Sequence, residues 1–312
     1  MDEHELVTIP PFSIHMSQNR RTVYELQCGP YALTLGPRTL IMGILNVTPD
    51  SFSDGGLFFE KQDAVAHGMA LEQAGADIID VGGESSRPFS EPVSAEDEIR
   101  RVIPVIEELV ERVSVPISID TTKVEVANRA LDAGAVIVND IGALRLDPDL
   151  GRLVADRDVP VVLMHMLGTP KTMQKDPHYD DVVTEVKDFL ANAVARAEAA
   201  GIDRRKTVID PGIGFGKTVN HNLRLIEGLG ALQALDVPIL IGPSRKSFIQ
   251  KLLGSDDERR EIGTQAAVSA AALNGAHIVR VHDVERTRET LKLVDAIMNS
   301  VEGDKEPIST SN

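Results

Sequence analysis

The run VPVVLMHM (159–166) is followed by DVVTEVKDFLANAVARAEAA (181–200) and then by TVIDPG (207–212), and this succession decides the fold. The outer segments are short and apolar until their last residues, which is how strands buried on both faces of a parallel sheet read. The middle segment repeats its apolar positions at three and four, the period of an amphipathic helix. Strand, helix, strand in that order is a βαβ unit. Working outward, LIMGILNV (40–47), DIIDVGG (77–83), VPISID (115–120), AVIVNDI (135–141), VPILIGPS (237–244) and HIVRVHD (277–283) bring the strand candidates to eight. Amphipathic stretches such as DAVAHGMALEQ (63–73) and SAEDEIRRVIPVIEELVERV (94–113) lie between them.

Eight such units predict an α/β fold of the TIM (β/α)8 barrel type, ahead of a doubly wound open sheet. Punctuation agrees with the period. Ala-Gly-Ala or Asn-Gly-Ala (74–76, 133–135, 274–276) stands where a helix must end, and glycine suits the residue just past a helix. Val115-Pro116, Val159-Pro160 and Val237-Pro238 stand at strand entries, where a missing donor is tolerated. Residues 1–38 precede the barrel, and segments 22–26 and 31–35 around Cys28-Gly29-Pro30 read as a β-hairpin capping its floor. Residues 39–300 form the barrel, and the polar stretch 301–312 is expected to be a flexible tail.

Composition narrows the function. With 42% hydrophobic and 26% charged residues the chain sits near the globular average. A net charge of -16 argues against nucleic acid or anionic membrane as a partner, so any anionic ligand must be met by cations gathered locally. An acidic start and the lack of an apolar run of about 18 residues point to a cytoplasmic protein. A lone cysteine, Cys28, cannot form an internal disulfide.

In a barrel, polar residues at the carboxyl ends of strands face the active site. Those ends carry Asn46, Asp80 with Glu84, Asp120, Asn139 with Asp140, His165, Asp210, residues 244–247, and Arg280 with His282. Any one of them could mark only a strand reaching water. Acids, amides, a lysine and an arginine converging from eight strands exceed what solvation of a rim requires.

The segments NVTPDSFSDGG (46–56), DVGGESSRP (80–88), ISIDTTK (117–123), VNDI (138–141), LMHMLGTPKTMQ (163–174), DPGIGFGK (210–217), GPSRKS (242–247) and AHIVRVHDV (276–284) resemble, in order, the signature segments of the dihydropteroate synthase family of pterin-binding barrels. The resemblance implies condensation of (7,8-dihydropterin-6-yl)methyl diphosphate with 4-aminobenzoate, giving 7,8-dihydropteroate and diphosphate on the folate pathway. It also implies a sulfonamide target, a Mg2+ cofactor and a homodimer, with small molecules and neither nucleic acid nor membrane as partners. By the same resemblance Asp120, Asn139, Asp210 and Lys246 bind the pterin, and Ser86, Arg280 and His282 bind the diphosphate. Asn46 ligates the magnesium. Phe215 and Ser247 meet the aminobenzoate, under loops carrying Phe52, Asp54 and Arg87.

These roles make chemical sense. A pterin presents a flat edge of donors beside an acceptor, which carboxylates, an amide and one lysine can read. Arg280 and His282, two apart on a strand, point to one side. Magnesium keeps several waters and bridges phosphate oxygens, so one protein ligand suffices. Ser247, expected to open a helix, suits a carboxylate. DPGIGFGK lacks the P-loop spacing and is assigned to a loop beside the arylamine. Diphosphate leaves, the ring delocalises the methylene cation and the neutral aniline attacks, so no covalent nucleophile is assigned. The chain departs from the family pattern at Phe89, where many relatives have glycine, and at Pro243. The alternatives are a methyltetrahydrofolate-binding methyltransferase, which has no use for loop 48–56 or the Arg280-His282 pair, and a non-catalytic pterin-binding paralogue.

Overall fold

All eight expected strands form, each trimmed at its ends, in a computed structural model that describes residues 21–47, 56–85, 92–169 and 171–300. After the hairpin strands β1 (Tyr24–Cys28) and β2 (Tyr31–Leu35) come β3 (Leu40–Asn46), β4 (Ile78–Gly82), β5 (Ile117–Asp120) and β6 (Ile137–Asp140). They continue with β7 (Val161–Met164), β8 (Thr207–Asp210), β9 (Leu240–Ile241) and β10 (Ile278–Val281). Helices α1 (Gly56–Gln73), α2 (Ala95–Val110), α3 (Val124–Asp132), α4 (Leu150–Arg157), α5 (Val182–Ala199) and α6 (Val219–Glu227) alternate with the strands. Helices α7 (Ser247–Leu253) and α8 (Asp257–Leu273) both follow β9, and α9 (Val284–Met298) follows β10. Phe52, Asp54, Ser86, Arg87, Phe89 and the tail 301–312 lie outside the described residues.

The parallel strands run β8-β7-β6-β5-β4-β3-β10-β9, and a parallel bridge between Ile209 and Ile239 joins the two ends. That bridge makes the sheet a barrel, so the TIM reading holds over the open sheet. The prolines at the strand entries donate nothing, yet each gives its carbonyl to the neighbouring strand. Pro116 O accepts from Ile79 N at 3.1 Å, Pro160 O from Val138 N at 3.0 Å and Pro238 O from Ile209 N at 2.9 Å. At the helix ends Gly75, Gly134 and Gly275 have φ of +99°, +107° and +103°, the left-handed conformation expected at that position.

Two cores result from the period-two alternation of the strands. Outward residues such as Ile41, Val81, Ile119 and Val279 pack against the helices. Below the cavity, Leu40, Met42, Ile78, Ile137, Val162, Val208, Leu240 and Ile278 pack against Leu26, Cys28 and Leu35 of the hairpin. The hairpin therefore seals the barrel floor, and burial of a side chain such as Leu26 or Leu35 contributes roughly 1.5–3 kcal/mol. Burial also pushes the Cys28 thiol up to about 12.

Polar anchors fix the segment that leads into the hairpin. The buried Arg21 guanidinium donates to Thr39 Oγ1, to Ala276 O at 2.9 Å and to Asp295 Oδ1 at 2.7 Å. His277 Nδ1 accepts from Ile239 N at 3.1 Å, which places the ring proton on Nε2, where it meets Thr22 O at 3.1 Å. Burial pushes the His277 pKa down to about 4, so the ring serves as a neutral bridge. The small residues of α8 pack inward, and a Cβ added at Gly263 would stand 2.3 Å from Ile249 Cγ2 on α7. Among the described residues no helix is long and apolar enough to cross a membrane.

Candidate active site

Strands β5, β6 and β8 bring Asp120, Asn139 and Asp210 from their carboxyl ends, and β10 brings Arg280, to a pocket at that end of the barrel. Its lining brings together Asp120, Asn139, Asp210, Lys246, Arg280 and Phe215, six residues the sequence had singled out, with Ile141, Met164, Ile213 and Gly242. Polar groups thus face one another above an apolar floor, the usual construction of a small-molecule site.

Its charges are paired in a way that alternation alone does not reveal. Arg280, from β10, donates through Nε to Asp80 Oδ2 at 2.6 Å and through Nη2 to Asp120 Oδ2 at 2.7 Å. Asn139 Nδ2 donates to the same Asp80 oxygen at 2.9 Å. Asp80 has no exposed surface, and a buried carboxylate of this kind persists only when it is well paired. Burial also raises the Asp120 pKa, to about 7, with the Arg280 charge pulling the other way and Asp80 adding to the rise. Burial opposes the Arg280 charge in turn, but Asp80 and Asp120 outweigh it and keep the pKa above the usual arginine value.

Asp210 ends β8 and accepts the Gly212 amide at Oδ1, 2.7 Å away. Burial pushes its pKa up to about 6, against the pull of that amide and of the lysines nearby. The chain then turns on Gly212, with φ +68°, where an added Cβ would lie 1.9 Å from His165 O, so no other residue fits. The loop from 212 to 217 is tied from inside by Lys217. Its ammonium gives its three hydrogens to Gly212 O at 2.8 Å, Phe215 O at 2.9 Å and His165 Nδ1 at 2.9 Å. Burial drives the Lys217 pKa down to about 7 and that of His165 to about 2, so the imidazole is a neutral acceptor. Phe215 is held as one wall, with Lys246 Nζ 4.2 Å from its ring centroid.

The remaining candidates stand around the mouth. His282 follows β10, its backbone amide donating to Ser244 Oγ at 3.2 Å, and the same hydroxyl hydrogen-bonds the ring Nδ1 at 2.9 Å. The structure pairs Arg280 with carboxylates and His282 with Ser244. Asn46 ends β3, and a Cβ added at Gly82 would stand 3.5 Å from Asp120 Cβ and 3.9 Å from Asn46 Oδ1, so that glycine keeps the space between the two open. Ser247 opens α7. Among the described residues no three His, Cys, Asp or Glu side chains converge as a metal site.

Sequence reasoning placed Asp80 at a strand end without a task, and it missed Lys217. The signal for Lys217 was present: a lysine closing a glycine-rich loop in a chain of net charge -16. The Asp140 that follows Asn139 points to the other face and serves the backbone, accepting from Gly142 N at 2.7 Å and Leu144 N at 2.6 Å.

Comparison with known proteins covers both site and fold. The family model described as pterin binding enzyme matches residues 42–282. The dihydropteroate synthase of Escherichia coli K12 is 48% identical over 265 residues, which are 85% of this chain and 94% of that protein. Among solved structures, the Xanthomonas albilineans dihydropteroate synthase with 4-aminobenzoic acid superposes with a TM-score of 0.84 at 49% identity, covering 90% of this chain and all of that one, 100%. The same enzyme in complex with 7,8-dihydropteroate gives a TM-score of 0.81 at 47% identity, with 89% and 100% covered.

Proposed function

The chain belongs to the pterin-binding enzyme family, among its dihydropteroate synthases, and from that premise we propose how the cavity joins (7,8-dihydropterin-6-yl)methyl diphosphate to 4-aminobenzoate. The observation that carries the reading is the convergence of Asp120, Asn139 and Asp210 with Lys246 and Arg280 on one pocket. A dihydropterin carries ring and amino N–H donors along one edge and a carbonyl oxygen beside them. The carboxylates and the amide oxygen accept from that edge, and Lys246 donates to the carbonyl side.

Arg280 and His282 are assigned to the diphosphate, with Ser86 expected to join them. As the carbon–oxygen bond breaks, its electron pair leaves with the diphosphate, and these donors stabilise the growing negative charge. The methylene carbon becomes electron-poor, and the carboxylates beneath the ring favour that charge. The lone pair of the neutral aniline nitrogen then forms the new carbon–nitrogen bond and the nitrogen releases one proton. No side chain has to form a covalent intermediate. Phe215 supplies an apolar wall for the arylamine, and Ser247 at the start of α7 offers donors to its carboxylate.

Magnesium fits this donor set in one way. Asn46 offers a single amide oxygen, and among the described residues no three acids, histidines or cysteines converge on it, which suits an ion that arrives with diphosphate and keeps most of its waters. It would supply further neutralisation of the leaving group. A second copy of the chain is placed against α7 and α8, where Leu252, Leu253 and Ile262 are exposed, and light scattering should give twice the monomer mass. The deciding experiment is product formation from the two substrates, followed by diphosphate release. A folded protein that binds the pterin but releases no diphosphate would favour the non-catalytic alternative.

A further inference from the structure

Asp80 is not needed by the mechanism above, yet it has no exposed surface and both of its hydrogen bonds among the described residues go to side chains of the cavity. The two bonds converge on a single oxygen, Oδ2, while Oδ1 has no partner there. A carboxylate kept only to hold the fold would be bonded to the surrounding framework. This one is bonded to Asn139 and Arg280.

We propose that Asp80 is a positioning residue that sets the hydrogen-bonding polarity of the pterin pocket by fixing which way the Asn139 amide faces. A carboxylate can only accept, so the prong of Asn139 turned toward it, 2.9 Å away, is Nδ2. The Oδ1 prong is then the one left for the occupant of the cavity that Asn139 lines. Without Asp80 the amide would be free to turn over and present its nitrogen to a ligand edge already made of donors. The same oxygen holds Arg280 by Nε, so that only the outer nitrogens of the guanidinium change partner while its stem stays in place. One buried acid thereby orients one acceptor and one cation, on β6 and β10, from its place on β4.

The inference rests on the pterin reading of the cavity, and its test separates the two. The probes are 6-hydroxymethylpterin and its 2-deamino counterpart, which lacks one donor, titrated by calorimetry into the full chain. The wild type should prefer the aminated probe by about tenfold or more, the worth of a buried donor matched to an acceptor. In Asp80→Ala that preference should shrink to within about threefold, and in Asp80→Asn it should persist. The asparagine can set its oxygen where Oδ2 stood and keep both bonds, with its nitrogen in the place of the unpartnered Oδ1. A role in charge balance alone predicts the opposite, with both variants failing together, and that result would overturn the proposal, as would an undiminished preference in Asp80→Ala. Should Asp80→Ala not fold, neutron diffraction from the wild type with bound 6-hydroxymethylpterin decides. Two deuterons on the Asn139 prong facing Asp80 are expected, and the reversed amide refutes the assignment. If Asp210→Asn also leaves pterin affinity unchanged, the pterin reading itself has failed; if Asp210→Asn weakens binding while Asp80→Ala keeps its preference, only the role of Asp80 has.

Discussion

Replacing Asp210 with asparagine probes the donor-reading cavity directly, because the structure dictates which way the new amide must turn. Asp210 Oδ1 accepts the Gly212 amide at 2.7 Å, so the variant's oxygen takes that place and its Nδ2 faces the cavity. An acceptor aimed at pterin donors becomes a donor. Loss of a charge-assisted bond costs about 1.5–3 kcal/mol and an opposed pair of donors about 1 kcal/mol more. Pterin affinity should therefore fall by roughly 2–4 kcal/mol, or about 30- to 1000-fold. Stability moves the other way. Burial lifts the Asp210 pKa from 3.8 to about 6, so carrying its charge costs the fold roughly 3 kcal/mol at about pH 8. Because the folded pKa lies above the unfolded one, that cost is complete above the folded pKa and absent below the unfolded one. Asp210→Asn should melt a few degrees above wild type at about pH 8, and the gap should close toward about pH 4. Calorimetric titration with 6-hydroxymethylpterin, alongside melting curves across that range, reads both effects. A folded variant that binds within about threefold of wild type would remove Asp210 from the site.

Arg280→Met removes the counter-charge of two enclosed carboxylates as well as a diphosphate donor. Turnover should drop by about 100-fold or more, and the melting temperature should fall most at high pH and recover as the acids protonate. Gly212→Ala forces a Cβ to 1.9 Å from His165 O, and a loss of about 3 kcal/mol or more should appear in urea melts. His277, held neutral with its pKa lowered to about 4, contributes stability that is whole above about pH 6.5 and lost as pH falls through the folded pKa. The gap in melting temperature between wild type and His277→Leu should accordingly narrow across that window, and a constant gap would exclude titration of this ring. EDTA should abolish product formation and excess magnesium restore it, while Asn46→Ala should raise the magnesium concentration needed; activity that survives chelation contradicts the metal role of Asn46.

The strands were legible because their apolar runs and their glycine and proline punctuation report local requirements: φ above zero at Gly75, Gly134 and Gly275, and no donor at Pro116, Pro160 and Pro238. Closure was expected from the count of eight units, but its seam, the bridge between Ile209 and Ile239, is announced by no local pattern. Within the site, alternation says which side of a strand a residue faces but not whom it meets across the barrel. Alternation put Arg280 at the end of β10, yet the carboxylates that hold it come from β4 and β5, about 160 to 200 residues away in sequence. Lys217 escaped for a similar reason. Its acceptors include two backbone carbonyls, and the side-chain pattern of a sequence says nothing of where a carbonyl will point.

The sealed floor of the barrel has a practical side. The chain contains one cysteine, and burial beneath the hairpin pushes that thiol up to about 12, so at ordinary pH it holds almost no thiolate to react with a label. Toward alkylating reagents the chain is therefore expected to resemble a cysteine-free protein. A cysteine introduced at an exposed position outside the residues assigned to the site would thus be the single reactive sulfur, and a fluorophore or spin probe attached there could follow the protein as ligands arrive and depart.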